Sequence, residues 1–221
     1  MAAGAGKAKN ARWRKKHLDA LRENYEIRRC QASENTVCDG IFSIRNRPAL
    51  RFVSAMSSST ELKVGDSAPD FTATALGGAY GTEGQRVQKR DFAGRYVVLY
   101  FYPKDDTPGC TIQACGLRDR WPDFQGKDAA VFGVSTDPLT SHREFIAKYG
   151  LPFPLLSDEE KRMVQDYGVW VEKNYSGQIS MGTERSTFVI DPAGNIAAIF
   201  RRVNPQEHAA QVLAALGEKA E

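Results

Sequence analysis

The segment Tyr96-Val-Val-Leu-Tyr-Phe-Tyr102 constrains the fold of this chain more than any other. It is an unbroken apolar run of strand length, rich in β-branched and aromatic residues. A strand with one face in water alternates apolar with polar residues. A continuous run marks a central strand covered on both faces. Pro103 follows directly and lacks the N–H that a ladder needs, so the strand must end there.

Around this strand the sequence alternates between the two periods. Residues 71–74 form a short strand candidate after Pro69. The glycines of residues 77–84 make a loop and match no phosphate-binding pattern. A helix opens near Pro108 to Cys110 and runs toward Phe124. Ala129–Ser135 reads as the next strand, Leu139–Tyr149 as a helix and residues 161–167 as a short helix. Ser186–Ile190 and residues 196–202 flank Asp191-Pro-Ala-Gly-Asn195, whose residues suit a hairpin turn. Residues 205–216 close the chain as an amphipathic helix, with Val212, Leu213 and Leu216 on its apolar side. Strands alternating with helices predict an α/β layer structure, and the last hairpin makes its central sheet mixed, with helices flanking it.

The 221 residues are 42% hydrophobic, enough for one domain with a real core. No run reaches the roughly 18 apolar residues of a membrane-crossing helix, so no membrane role is expected. Charge divides the chain unevenly. Residues 1–60 carry 12 Lys/Arg and 5 Asp/Glu, whereas residues 61–221 carry 18 and 22. The basic segment contains no recognition motif, and no nucleic-acid partner is expected from charge alone. Its one helical stretch, residues 7–29, has a thin apolar stripe (Trp13, Leu18, Leu21, Tyr25), the pattern of a poorly structured extension. Residues 41–60 lack acidic groups, carry Arg45, Arg47 and Arg51 and end Ser-rich, as organelle transit segments do. Met56 opens a natural start for the compact part. Two domains are therefore expected: residues 1–60, a basic N-terminal extension that is disordered, a presequence or an over-extended start, and residues 61–221, the folded body. The expected location is the cytoplasm, or a mitochondrion or plastid if the extension is cleaved.

Four cysteines do not make a secreted disulfide framework in a chain of this size. Cys30 and Cys38 lie in the extension. Cys110 and Cys115 lie in Pro103-Lys-Asp-Asp-Thr107-Pro-Gly-Cys110-Thr-Ile-Gln-Ala-Cys115. A strand end and a Pro-Gly turn place Cys110 in the first turn of a helix, where unpaired N–H groups and the helix dipole favour thiolate over thiol. The same N–H groups could hold a peroxide oxygen. Thr107 can offer a hydroxyl to sulfur or substrate, and Pro103 and Pro108 would wall the pocket. Cys115 reads either as a second reactive thiol or as a small buried hydrophobe. In an intact helix its Cα lies about 8.6 Å from that of Cys110. A disulfide spans roughly 4.4–6.8 Å, so joining the two requires the helix to unwind, which Gly109 and Gly116 should ease. Zinc is not expected, because His142 and His208 are isolated from the cysteines. A thioredoxin-type Cys-x-x-Cys is absent.

Pro103-x-x-x-Thr107-x-x-Cys110 resembles the peroxiredoxin active-site motif. The wider string from Phe101 to Cys115, the opening Val64-Gly-Asp-x-Ala-Pro-Asp-Phe71 and the later Glu184-Arg-Ser-Thr-Phe-Val-Ile-Asp191 resemble its bacterioferritin comigratory protein/peroxiredoxin Q branch. Two features depart from that branch: Ile112-Gln113 replaces a common Lys-Glu pair, and residues 1–60 have no counterpart. The resemblance implies a thioredoxin-like fold and antioxidant peroxide reduction, acting on hydrogen peroxide and organic hydroperoxides. It assigns Cys110 as peroxidatic, Cys115 as resolving and Arg185 as the cation beside the thiolate. It further implies a Cys110–Cys115 disulfide recycled by thioredoxin or a similar dithiol. No metal or organic cofactor is called for, since sulfur carries the two electrons, and a monomer suffices when both cysteines share one chain. A general disulfide oxidoreductase and a peroxide-sensing redox relay remain as alternatives.

Overall fold

The computed structural model describes residues 61–175 and 177–217. The expectations for residues 1–60, including Cys30 and Cys38, lie outside the described residues.

Among the described residues, nine strands form two sheets. β1 (Thr72–Leu76), β2 (Gln85–Gln88), β3 (Tyr96–Phe101), β4 (Ala129–Ser135), β5 (Leu155–Ser157), β8 (Ser186–Ile190) and β9 (Ile196–Phe200) build one sheet in the order β2-β1-β5-β4-β3-β8-β9. The remaining pair, β6 (Trp170–Tyr175) and β7 (Gln178–Thr183), is a separate antiparallel hairpin. β3 pairs in parallel with β4 and antiparallel with β8, so the expected mixed sheet is present. Flanking helices are α1 (Pro108–Asp119), α2 (Trp121–Gln125), α3 (Leu139–Tyr149), α4 (Arg162–Asp166) and α5 (His208–Ala215).

The period-2 geometry of β3 explains its unbroken apolar sequence. Val97, Leu99 and Phe101 point into one core with Phe132, Tyr167 and Phe188. Val98 and Tyr100, with Tyr102 beyond the strand, point into the other, beside Cys110, Leu117, Phe145 and Val212. The second core packs beneath α1, α3 and α5 and is therefore the side on which the cysteine sits. On neighbouring β4, Gly133 makes room for this packing: a Cβ there would lie 2.6 Å from the phenol of Tyr100 and from Leu155.

Several expected bounds need correction: the strand expected over residues 196–202 ends at Phe200, and the helix expected from residue 205 begins at His208. The helix predicted to run from Cys110 toward Phe124 breaks at Arg120 (φ −103°, ψ 12°), giving α1 and α2. Pro122 stops one helix from running through, because it has no N–H to give the Arg118 carbonyl four residues back and its ring crowds that carbonyl; it fits instead in the first turn of a new helix. The first strand begins at Thr72 and extends to Leu76, two residues beyond the expected end, where it pairs with β5.

Candidate active site

Chain leaving β3 turns at Tyr102 and Pro103, and residues 103–107 lead into α1. Thr107 is extended (φ −90°, ψ 151°) and Pro108 occupies the first helical position, where its fixed φ fits and its missing N–H costs nothing. The first helical bond runs from Thr111 N–H to Thr107 C=O, 2.8 Å. A helix begun this way leaves the N–H groups of Gly109 and Cys110 without intrahelical acceptors. Cys110 is 2% exposed, its sulfur buried with Tyr102 and Ala114.

Arg185 joins β7 to β8 and lays its guanidinium over this first turn. Its Nη2 donates to Cys110 Sγ at 3.4 Å. Gly109 permits the approach, because a Cβ there would meet Arg185 Nη2 at 3.1 Å. A cation donating to sulfur stabilises the charged form of that sulfur. The other arm of the guanidinium, Nη1, donates to Gln113 Oε1 one turn along α1. Gln113 is itself wholly buried, and its Nε2 lies 3.1 Å from His208 Nδ1 at the start of α5. His208 Nε2 lies 2.8 Å from Thr187 Oγ1 on β8. Burial, aided by the charge of Arg185, pushes His208 down to about 3. Pro103 and Arg185 border an open cleft of about 440 Å³ whose other walls include Val171 and Lys173 of β6 and Val203.

The loop itself is tied down by Asp105. Its carboxylate accepts from Tyr102 OH (2.7 Å), Ser141 Oγ (2.7 Å) and His142 Nδ1 (2.8 Å), the last two on α3. Burial alone would raise the Asp105 carboxyl, but the bonds from His142, Ser141 and Tyr102 outweigh it and hold the group below its ordinary value. Asp106, at φ 53°, faces solvent and accepts from Lys148 Nζ (2.6 Å) and Tyr149 OH (2.6 Å).

The structure thus brings Cys110, Arg185 and Pro103 to one place. Of the two partners expected for Thr107, sulfur or substrate, the sulfur does not receive its proton: the hydroxyl donates to Lys104 C=O (3.0 Å), which the turn leading into α1 brings within reach. Cys115 is half-buried on the unbroken α1, and both it and Cys110 are free thiols. Gln113, His208, Thr187 and Asp105 were not read as site residues from sequence. Gln113 alone carried a signal, as the polar residue replacing an expected Glu. His208 carried none, lying 95 positions away from it.

A buried sulfur at a helix start, donated to by a fixed guanidinium on a mixed-sheet α/β scaffold, defines a thiol-based oxidoreductase. The AhpC/TSA family pattern matches residues 64–199. The putative peroxiredoxin bcp of Coxiella burnetii is 43% identical over 155 residues, covering 70% of this chain and 99% of that protein. Peroxiredoxin Bcp of Bacillus subtilis is 41% identical over 160 residues, covering 72% and 98%. The solved structure of Xanthomonas campestris peroxiredoxin Q superposes with a TM-score of 0.61 at 38% identity, over 66% of this chain and 89% of that one. The chain belongs to the AhpC/TSA family and, within it, to the Bcp/peroxiredoxin Q group of peroxiredoxins, with their thioredoxin-like fold.

Proposed function

We propose that this thiol-dependent peroxidase reduces peroxides at Cys110, resolves the product with Cys115 and is recycled by thioredoxin or a similar dithiol. The observation that carries the reading is the Arg185 donor 3.4 Å from the buried Cys110 sulfur. The thiolate attacks the distal peroxide oxygen, the O–O bond breaks, and water or an alcohol leaves with a proton, giving a sulfenic acid. Arg185 and the free N–H groups of the α1 first turn can donate to the departing oxygen as charge develops on it. Thr107, its proton committed to Lys104, has lone pairs to accept the O–H of the incoming hydroperoxide.

In the second step the Cys115 sulfur attacks the sulfenic sulfur, water leaves and a disulfide forms. α1 is helical from Pro108 to Asp119, so about 8.6 Å separates the two Cα atoms and the segment must unwind first. An external dithiol then takes the disulfide and restores both thiols. Both cysteines lie on one chain, which supports action as a monomer. The cleft beside Arg185, about 440 Å³, supports organic hydroperoxides as substrates alongside hydrogen peroxide. The X. campestris bacterioferritin comigratory protein is described by its alkyl peroxide reduction activity.

The test is NADPH consumption coupled through thioredoxin and its reductase, for wild type, Cys110→Ser and Cys115→Ser. Turnover by wild type, none by Cys110→Ser and about one peroxide per chain by Cys115→Ser is the expected pattern. Full activity in Cys110→Ser would overturn the reading, and steady turnover in Cys115→Ser would remove Cys115 as resolver.

A further inference from the structure

Arginine has donors only, so the group that steadies Arg185 beside Cys110 must present an acceptor. Gln113 has one acceptor and one donor side, and nothing in the amide itself fixes which side faces the guanidinium. The second partner fixes it. With Gln113 Oε1 on Arg185 Nη1, Gln113 Nε2 points at His208 Nδ1, 3.1 Å away. An amide N–H donates only to a ring nitrogen carrying a lone pair. The imidazole proton must then sit on Nε2, where Thr187 Oγ1 accepts it at 2.8 Å. Gln113, His208 and Thr187 are all 0% exposed, so water does not substitute for a lost partner.

We propose that His208, as a neutral imidazole protonated on Nε2, is a positioning residue that orients Gln113 and through it holds Arg185 against the Cys110 sulfur. A second proton, on Nδ1, would set two donors face to face. Relief comes only by turning the amide, which presents its NH2 to Arg185 and drives the guanidinium off the sulfur. The surroundings favour the neutral ring. The imidazole is buried, the positive charge of Arg185 acts on it, and the Tyr100 ring packs at 5.7 Å between centroids. Tyr100 lies on β3, Arg185 enters β8 and Gln113 lies on α1. The first residue of the last helix is thereby tied to the reactive sulfur.

The proposal rests on Cys110 being the peroxidatic residue, but its first readout does not. Long-range 1H–15N spectra of the full reduced chain, labelled at histidine, should show His208 neutral with its proton on Nε2 from pH 5 to 8. An imidazolium at pH 7, or the Nδ1–H tautomer, would overturn the proposal whatever Cys110 does. The second readout uses His208→Leu, which removes the acceptor, and His208→Asn, whose amide oxygen can occupy the Nδ1 position. The leucine variant should react with hydrogen peroxide at least tenfold more slowly, with the pH profile of Cys110 alkylation displaced to higher pH. The asparagine variant should recover most of both. A leucine variant equal to wild type, or a folded asparagine variant as impaired as the leucine one, sinks the idea. If the leucine variant does not fold, Thr187→Val serves. It should slow the peroxide reaction several-fold and shift His208 toward the other tautomer, and a variant unchanged in both contradicts the proposal. Wild-type failure to turn over peroxide, with His208 in the expected tautomer, would count against the peroxidase reading and not against this arrangement.

Discussion

His142 and His208 are both wholly buried, both on helices against the same face of the sheet, and they face opposite chemistry. His142 Nδ1 lies 2.8 Å from the Asp105 carboxylate and its Nε2 lies 3.2 Å from the Leu156 carbonyl. Both are acceptors, one of them a carboxylate. His208 meets a donor, Gln113 Nε2, on one side and the Thr187 hydroxyl on the other, the pattern of a neutral ring. Burial favours the neutral form of either ring; the two sites differ in the donors and acceptors that meet each nitrogen. The first histidine therefore anchors the loop before α1 through the Asp105 carboxylate. The second forms a neutral wedge behind Arg185. Damage to the anchor should appear in stability, and damage on the wedge side in reaction rate.

The largest effect is expected from Asp105→Asn. It takes a charged acceptor out of a buried network in which Tyr102 OH, Ser141 Oγ and His142 Nδ1 all donate to it, which costs about 3 kcal/mol. Urea unfolding at pH 7 should show a loss of that order. A loss below about 1 kcal/mol would mean that this network does not hold the loop and that the contrast between the two histidines is wrong.

Next comes acid, which separates the two sites by pH window. The folded His208 resists protonation down to about 3, whereas an ordinary histidine in the unfolded chain takes up a proton near 6.5. The unfolded state then binds more protons between those values. The contribution is intact above pH 6.5 and declines as pH falls through the window, by up to about 1.4 kcal/mol per pH unit. Asp105 has the opposite origin and a lower window: its carboxyl is held below the ordinary 3.8, so its contribution is intact above that value and is lost as pH falls through the depressed one. Unfolding free energies at pH 7, 6, 5 and 4 should fall more steeply for wild type than for His208→Asn. Parallel curves would remove His208 as a buried neutral base.

Gly109→Ala addresses the wedge side from the opposite direction. The new methyl would meet Arg185 Nη2 at 3.1 Å, while alanine suits a helix better than glycine. Reaction with peroxide should slow about tenfold, or about 1.4 kcal/mol in barrier, with the melting temperature unchanged or higher. An unaltered rate would show that the guanidinium shifts without consequence.

The anchor and the wedge also differ in how far sequence could reveal them. β3 was legible because an unbroken apolar run bounded by Pro103 has one reading. The sulfur at a helix start was legible because strand end, Pro-Gly turn and cysteine are adjacent in the chain. α3 and β4 followed from clear periodicity. β5 is three residues long, and residues 152–154 around it include two prolines, so no run announced it. The β6–β7 hairpin exposes Ile179 and Met181 and meets the core at its base, through Trp170, which erases the alternation a strand is read from. The histidines were harder still. His142 joins Asp105 across 37 positions and His208 joins Gln113 across 95, and no local pattern encodes a partner at that distance.

The smallest effect is expected one residue from the largest. Asp106 adjoins Asp105 and is also paired, with Lys148 Nζ at 2.6 Å, but the side chains of that pair are 57% and 45% exposed. Water solvates both charges before and after the pair is broken, and salt screens what attraction remains. Tyr149 OH also donates to Asp106 and would stay when the lysine is removed. Lys148→Met should therefore leave the urea midpoint and the peroxide rate close to wild type, and raising salt should change wild type as little. If this variant instead matched Asp105→Asn, the loop before α1 would be held from its solvent side, and the buried network around Asp105 would be a passenger of that hold. Adjacent aspartates would then differ in burial alone, with no difference in effect, contrary to the large cost expected when buried donors lose their charged acceptor.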